Sequence, residues 1–325
     1  MKSILFKDLR GLTIFITFIA LVSCTGGSRL SKENFGPLEI KRVSDVVIDV
    51  IDKEKPLNLS IHYPIARGKY PLIVFFHGAL CEPSGYSDLA DYWSSRGYVV
   101  IMPGHPDFGN QGRPDSQQAL LNFFGHVEEM SSIVDSLDEI VARVEPLQGN
   151  IDSNRIAAAG HSMGALISSA VTGLKRSGIN NETLNFKDDR FDVAVLLSGP
   201  GPLPNTPKGA WDSMTVPTLA TTGTKDHANR GGEGATWKWR LGTFELTPPG
   251  DKYALIVDKA DHFLGGMLCP KRATGNLDQE AFLIVADTSI KFLDAYLKKD
   301  EEALQLLNND RISDSSSERA ELRKK

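Results

Sequence analysis

The run RIAAAG ends at residue 160 and continues as HSMGA, so that Ser162 stands between Gly160 and Gly164. A serine hydroxyl becomes a nucleophile when a base takes its proton and the oxygen stands clear of the backbone around it. A tight strand-to-helix turn meets the second condition, and glycines two positions to either side let the strand and helix approach without colliding side chains. RIAAAG has the texture of a buried strand and GALISSAVTGL that of a small-residue helix, so the spacing reads as a nucleophile elbow rather than a serine filling a turn.

Such a serine needs an acid and a histidine, in that chain order, each just beyond a later strand. Asp226 follows PTLATTGTK and His262 follows YALIVDKAD. Asp251, Asp258 and Asp261 compete for the acid's place, but Asp258 and Asp261 share the histidine's own loop, whereas Asp226 has a loop to itself. His227 adjoins that acid, His126 falls at a helix start, and His62 precedes the serine on an early strand. Two aimed backbone donors would complete the chemistry by holding a tetrahedral oxyanion. One is the N–H of Met163, at a helix N-terminus where the dipole favours negative charge. The other is the N–H of Ala79 in FFHGAL, where Gly78 permits the turn and His77 is expected to order the loop. The implied reaction is acyl transfer to water, which requires no metal or cofactor: Ser162 attacks, His262 moves the proton and Asp226 orients the ring.

These residues need a scaffold that brings strand ends together. PLIVFFHG, YVVIM, RIAAAG, DVAVLLSG, PTLATTG and YALIVD are short apolar runs without alternation, as expected of parallel strands covered on both faces. VVIDVI (46–51) and LNLSIHY (57–63), joined by DKEKP, predict an antiparallel pair before them. Val127, Met130, Ile133, Val134, Leu137 and Val141 form one helical stripe, and Phe282, Val285, Phe292 and Tyr296 another; residues 86–95 and 163–174 supply further helices. The alternation predicts an α/β fold with helices on both faces of one mostly parallel sheet. Two connections bear on access to the serine. GPLPNTPKGAWDSM (201–214) is too short for a helical lid, and the insertion at 227–252 carries Trp237 and Trp239, for which packing onto the body is favoured over contact with substrate.

A net charge of −5 leaves no basic face for a phosphate backbone, which argues against nucleic acid as a partner. At the N-terminus, Lys2, Lys7 and Arg10 precede the apolar run 11–22, which is shorter than the ~20 residues that span a bilayer and suits a signal peptide. LVSC (21–24) resembles a bacterial lipobox, which implies acylation at Cys24 and attachment to a membrane of the cell envelope by a lipid anchor. The alternatives are a plain signal peptide or a start-transfer anchor. Export to an oxidising compartment permits a disulfide between Cys81 and Cys269, with two buried thiols as the alternative.

FFHG, SRGYVVIMPGHPDFG, GHSMGA, TGTKD and PPGDKY leading to DHF resemble the α/β-hydrolases over residues 46–297, and within them the branch of dienelactone hydrolases, platelet-activating-factor acetylhydrolases and cutinase-like polyesterases. Dienelactone hydrolases carry cysteine where Ser162 stands, and polyesterases carry an aromatic residue where Ala79 stands. Both departures favour a general carboxylesterase. In that fold the loops carrying Cys81 and Cys269 rim one cleft, which implies a disulfide across it. The expected organisation is a lipoprotein signal peptide (1–24), a flexible tether (25–42), an α/β-hydrolase domain (43–308) and a polar, disordered tail (309–325). The expected function is hydrolysis of small or lipid-like esters; a polyesterase, an amide hydrolase and a non-catalytic binding lipoprotein on the same scaffold are the rivals.

Overall fold

The computed structural model describes residues 28–50, 56–104, 116–203, 206–227, 236–273, 275–309 and 318–325. Its core is a nine-stranded sheet in the order β1-β2-β4-β3-β5-β8-β9-β10-β11. The strands are β1 (Ile40–Ile48), β2 (Leu57–Pro64), β3 (Tyr70–Phe76), β4 (Val99–Gly104), β5 (Ile151–His161), β8 (Phe191–Leu197), β9 (Thr218–Gly223), β10 (Lys252–Val257) and β11 (Ala320–Lys324), with β6 (Arg176–Ser177) and β7 (Thr183–Leu184) forming a small separate hairpin. From β4 across to β10 every pairing is parallel. β1 pairs with β2, β2 with β4 and β10 with β11 in antiparallel fashion. The expected fold class, a mostly parallel sheet with an antiparallel N-terminal pair, is the observed one.

Apolar runs without alternation have a direct physical outcome here. Leu72, Val74 and Phe76 of β3 face one layer, packed with α2 (Ser116–Asp135), α3 (Leu137–Arg143) and α4 (Met163–Val171), while Ile73 and Phe75 face the other, packed with α1 (Ser87–Ser94), α6 (Gln279–Leu297) and α7 (Glu301–Asn308). Val127, Met130 and Ile133 are all buried against the first layer, and Phe282, Val285 and Phe292 against the second. With both faces covered, the inner strands β3, β4, β9 and β10 expose no side chain to water between their ends, and the carboxyl ends carry the loops of interest.

Three expectations need correction. The signal segment and Cys24 lie outside the described residues, but of the tether expected at 25–42, residues 28–42 are docked on the body. Leu30 is buried in the α1/α6 layer, the Ser28 hydroxyl donates to Asp88 at 2.9 Å, and Arg29 pairs with the same carboxylate. Leu30, the partly buried Phe35 and the Arg29–Asp88 and Arg42–Asp91 ion pairs anchor a stretch whose composition is otherwise that of a linker. β1 also begins at Ile40, six residues before the predicted start, with its register broken between Val43 and Val46. At the other end, the tail expected to be disordered contains β11, which pairs residue by residue with β10 from Tyr253↔Lys324 to Val257↔Ala320. Ala320 and Leu322 turn inward and are buried, while Glu321 and Arg323 face water. The strand's polar half hides its short apolar alternation.

Candidate active site

Ser162 occupies the apex between β5 and α4 with φ +56° and ψ −112°, a backbone state that only surrounding structure can enforce on a side chain with a Cβ. The two glycines explain how it is enforced. A Cβ on Gly164 would lie 1.9 Å from the Phe76 carbonyl oxygen of β3, and one on Gly160 would lie 2.3 Å from the Gly164 carbonyl carbon. Strand and helix therefore approach more closely than any other residue allows, and the serine is pushed out at the crest. Its own N–H is tied to the Leu197 carbonyl at the end of β8, at 2.9 Å.

The structure brings the three candidate side chains together. The Ser162 hydroxyl lies 2.9 Å from His262 Nε2, and His262 Nδ1 lies 2.9 Å from Asp226 Oδ1. Because the carboxylate only accepts, the ring proton sits on Nδ1 and Nε2 is the acceptor for the serine. Asp226 is fully buried, directly after β9, and His262 is reached by the loop after β10, at the two neighbouring carboxyl ends. The rival acids have other tasks. Asp261 accepts the N–H groups of Phe263 and Gly265 and so shapes the histidine loop, and Asp258 accepts the Thr224 hydroxyl at 2.9 Å, tying that loop to the acid's loop. Asp251 lies at the opposite end of β10. His62 is bound to Asp91 and His126, inside α2, to Glu129, both away from the serine.

The second loop differs from expectation in one detail. Gly78 does not adopt positive φ; the turn is made at Leu80, with φ +61°, and closed by Cys81 N–H to the Gly78 carbonyl. Glycine is required at 78 for space, since a Cβ there would lie 2.9 Å from His161 Nδ1, 3.1 Å from the Tyr86 hydroxyl and 3.3 Å from Ser162 Cβ. His77 Nδ1 donates to the Gly78 carbonyl at 2.9 Å, as expected of a residue ordering the loop. Among the described residues, neither the Ala79 N–H nor the Met163 N–H has a hydrogen-bond partner. Cys81 and Cys269 are joined, with Cα atoms 5.6 Å apart, so the loop after β3 and the segment after His262 are one covalent unit.

Two buried residues at the site were not anticipated: Arg240, which belongs to no motif, and His161, which lies inside GHSMGA but was assigned no role. Arg240 Nε lies 2.6 Å from Asp226 Oδ1, the same oxygen that accepts from His262, and its Nη1 donates to the Ser198 carbonyl at 2.7 Å. Burial alone would raise the Asp226 carboxyl, but the His262 hydrogen bond and the Arg240 charge outweigh it and hold the group below the usual carboxylate range. Arg240 comes from the insertion whose tryptophans drew attention in the sequence. Both make packing contacts: Trp237 lies against the cluster of Leu241, Ala254 and Ile256, and Trp239 Nε1 donates to the Pro202 carbonyl at 2.9 Å. His161 is fully buried beside His262, ring centroids 4.7 Å apart, and burial followed by that neighbour pushes it well below the ordinary histidine range, so it stays neutral.

Comparison with known proteins points the same way. The Chlorophyllase family model matches residues 34–187, the segment from just before β1 to beyond α4 that contains Ser162 but neither Asp226 nor His262. Among curated proteins, Chlorophyllase-2 of Arabidopsis thaliana is similar at 28% identity over 47% of this chain and 42% of its own length. Chlorophyllase-1 of the same plant is similar at 25% identity over 39% of this chain and 37% of its own. The chain thus matches less than half the length of these relatives. A strained serine at the end of the central strand, an acid and a histidine supplied in order by later strands, and a sheet of this topology are joined to a sequence likeness in the half that builds the elbow. On these grounds the chain is a member of the α/β-hydrolase superfamily.

Proposed function

We propose that this protein is a serine hydrolase of carboxylic esters, with Ser162 as nucleophile, His262 as general base and acid, and Asp226 as the group that orients the ring. The observation that carries the reading is the unbroken line of 2.9 Å contacts from Ser162 Oγ through His262 to Asp226 Oδ1, assembled across three separate loops. His262 takes the hydroxyl proton as Ser162 adds to the ester carbonyl, then returns it to the departing alcohol; water repeats the sequence on the acyl-enzyme. The N–H groups of Ala79 and Met163, beside the serine and without partners among the described residues, are the candidate donors to the oxyanion, and that of Met163 adds the favourable end of the α4 dipole. The likeness to chlorophyllases supports an ester, rather than an amide, as the bond cut. Small or lipid-like esters at the cell envelope remain the proposed substrates, and Cys24 the proposed site of acylation and membrane attachment.

The test uses p-nitrophenyl esters of increasing chain length and a fluorophosphonate probe. Wild-type protein should turn over the esters and be labelled at Ser162, and Ser162→Ala should lose both. Met163→Ala should stay active, because a backbone group survives the substitution. A wild-type protein that neither turns over nor labels would make this a binding protein on a hydrolase scaffold.

A further inference from the structure

Ser162, His262 and Ala79 sit on three loops, and one chain of hydrogen bonds outside the triad connects all three. The Gly78 N–H, immediately before Ala79, donates to the Tyr86 hydroxyl at 3.0 Å. Tyr86 Oη lies 2.8 Å from His161 Nδ1, and His161 Nε2 lies 2.8 Å from the carbonyl oxygen of His262. His161 itself adjoins Ser162 in sequence.

The proton positions in this chain follow from its ends. A carbonyl accepts only, so His161 carries a proton on Nε2. Tyr86 and His161 are both buried, at 1% and 0% exposure, and a neutral imidazole has a single N–H, which leaves Nδ1 to accept the tyrosine O–H. The Tyr86 oxygen is then turned to receive the Gly78 N–H. Every donor points one way along the chain, from the loop after β3 to the backbone of His262.

The base of the chain is held rigidly. Tyr86 ends a short helical turn, Pro83–Tyr86, whose Gly85 carbonyl accepts the Cys269 N–H at 3.1 Å, and Cys269 is bonded to Cys81 in the donor loop. The Tyr86 ring packs 5.0 Å from Phe75 and 5.7 Å from His161, centroid to centroid. The disulfide and the hydrogen-bond chain thus form a closed frame around the serine, one side covalent and the other polar.

We propose that Tyr86 and His161 are positioning residues for the reaction: they fix the peptide that aims the Ala79 N–H and the backbone that carries the His262 ring, both relative to Ser162. This rests on the serine-hydrolase reading. Neither residue hydrogen-bonds the Ser162 hydroxyl or a ring nitrogen of His262, so their loss misdirects groups needed in the transition state without removing a proton-transfer partner. The expected signature is a fall in kcat with little change in KM.

The experiment compares hydrolysis of p-nitrophenyl butyrate by wild type, Tyr86→Phe, His161→Leu, His161→Gln and the Tyr86→Phe/His161→Leu double variant, each normalised to the serines labelled by a fluorophosphonate. Removing an oxyanion donor outright costs about 10²–10³ in kcat, so misdirecting one should cost about tenfold or more. Tyr86→Phe, which deletes one oxygen, and His161→Leu should each show that loss with KM within about twofold. His161→Gln keeps an N–H for the His262 carbonyl and should recover part of it. The double variant should lose no more than the worse single one, since both break the same chain. A wild-type kcat in Tyr86→Phe, a loss confined to KM, or additive losses would overturn the positioning role while leaving the serine-hydrolase reading in place. A wild type that neither turns over nor labels would overturn both.

Discussion

A single oxygen of Asp226 accepts from the imidazole of His262 and pairs with the guanidinium of Arg240, in a spot where Asp226 is fully buried and Arg240 is 8% exposed. A buried charge is tolerated only while its partner is present, and breaking such a pair from one side costs about 3–5 kcal/mol. Arg240→Met should therefore destabilise the protein by an amount of that order, and Asp226→Asn should do likewise by stranding the arginine. The double variant strands nothing, so in urea denaturation its loss should fall well short of the sum of the singles. Simple additivity would mean that Arg240 is held by its carbonyl contacts to Ser198 and Asp226 rather than by the carboxylate. Nothing near residue 240 announces this role. WKWRLG has no motif, and the tryptophans on either side of Lys238 are the more conspicuous residues. Ser162, Asp226 and His262 were legible because their order and their places after buried strands are a pattern, whereas Arg240 and His161 act through contacts between segments 14 and 101 residues apart.

At the scale of elements, what the sequence revealed depended on how much of a strand is apolar. The inner strands announce themselves because both faces are covered; β11 does not, because AELRK offers only Ala320 and Leu322 to the body. Yet β10 is buried along its whole length, and β11 is what occupies its outer edge. Deleting residues 318–325 should expose a row of unpaired backbone groups on β10 beside an apolar surface, which is a template for association with other chains. The truncated protein is expected to melt at lower temperature and to scatter light in a concentration-dependent way on mild heating. A truncation with unchanged melting and no aggregation would show that β11 adds nothing to the sheet. The N-terminal segment teaches the same lesson, since Leu30 and the Arg29–Asp88 pair dock residues whose composition reads as a linker.

For the molecule as a whole, the buried neutral His161 ties stability to pH. In the unfolded chain a histidine takes up a proton near ~6.5, whereas burial, and then His262, hold the folded-state value of His161 well below that. The unfolded state therefore binds more protons as pH falls below ~6.5, so stability drops with falling pH in that window and this contribution is flat above it. Urea unfolding of wild type and His161→Gln from pH 8 to 5 should show a constant difference above about pH 7. Below about pH 6 the wild type should lose up to about 1.4 kcal/mol per pH unit relative to the variant. A difference that does not vary with pH would mean that His161 takes its proton in the folded state. The sequence by itself determined the fold class, the alternation of strands and helices through the parallel core, and the three residues that face one another at the strand ends, because periodicity and motif spacing are local properties. The tertiary structure alone decided the Arg240 pairing, the path from Gly78 through Tyr86 and His161 to His262, and the docking of both terminal segments. Each of those is a contact between positions far apart in the chain, and no local pattern encodes the distance at which two such positions meet.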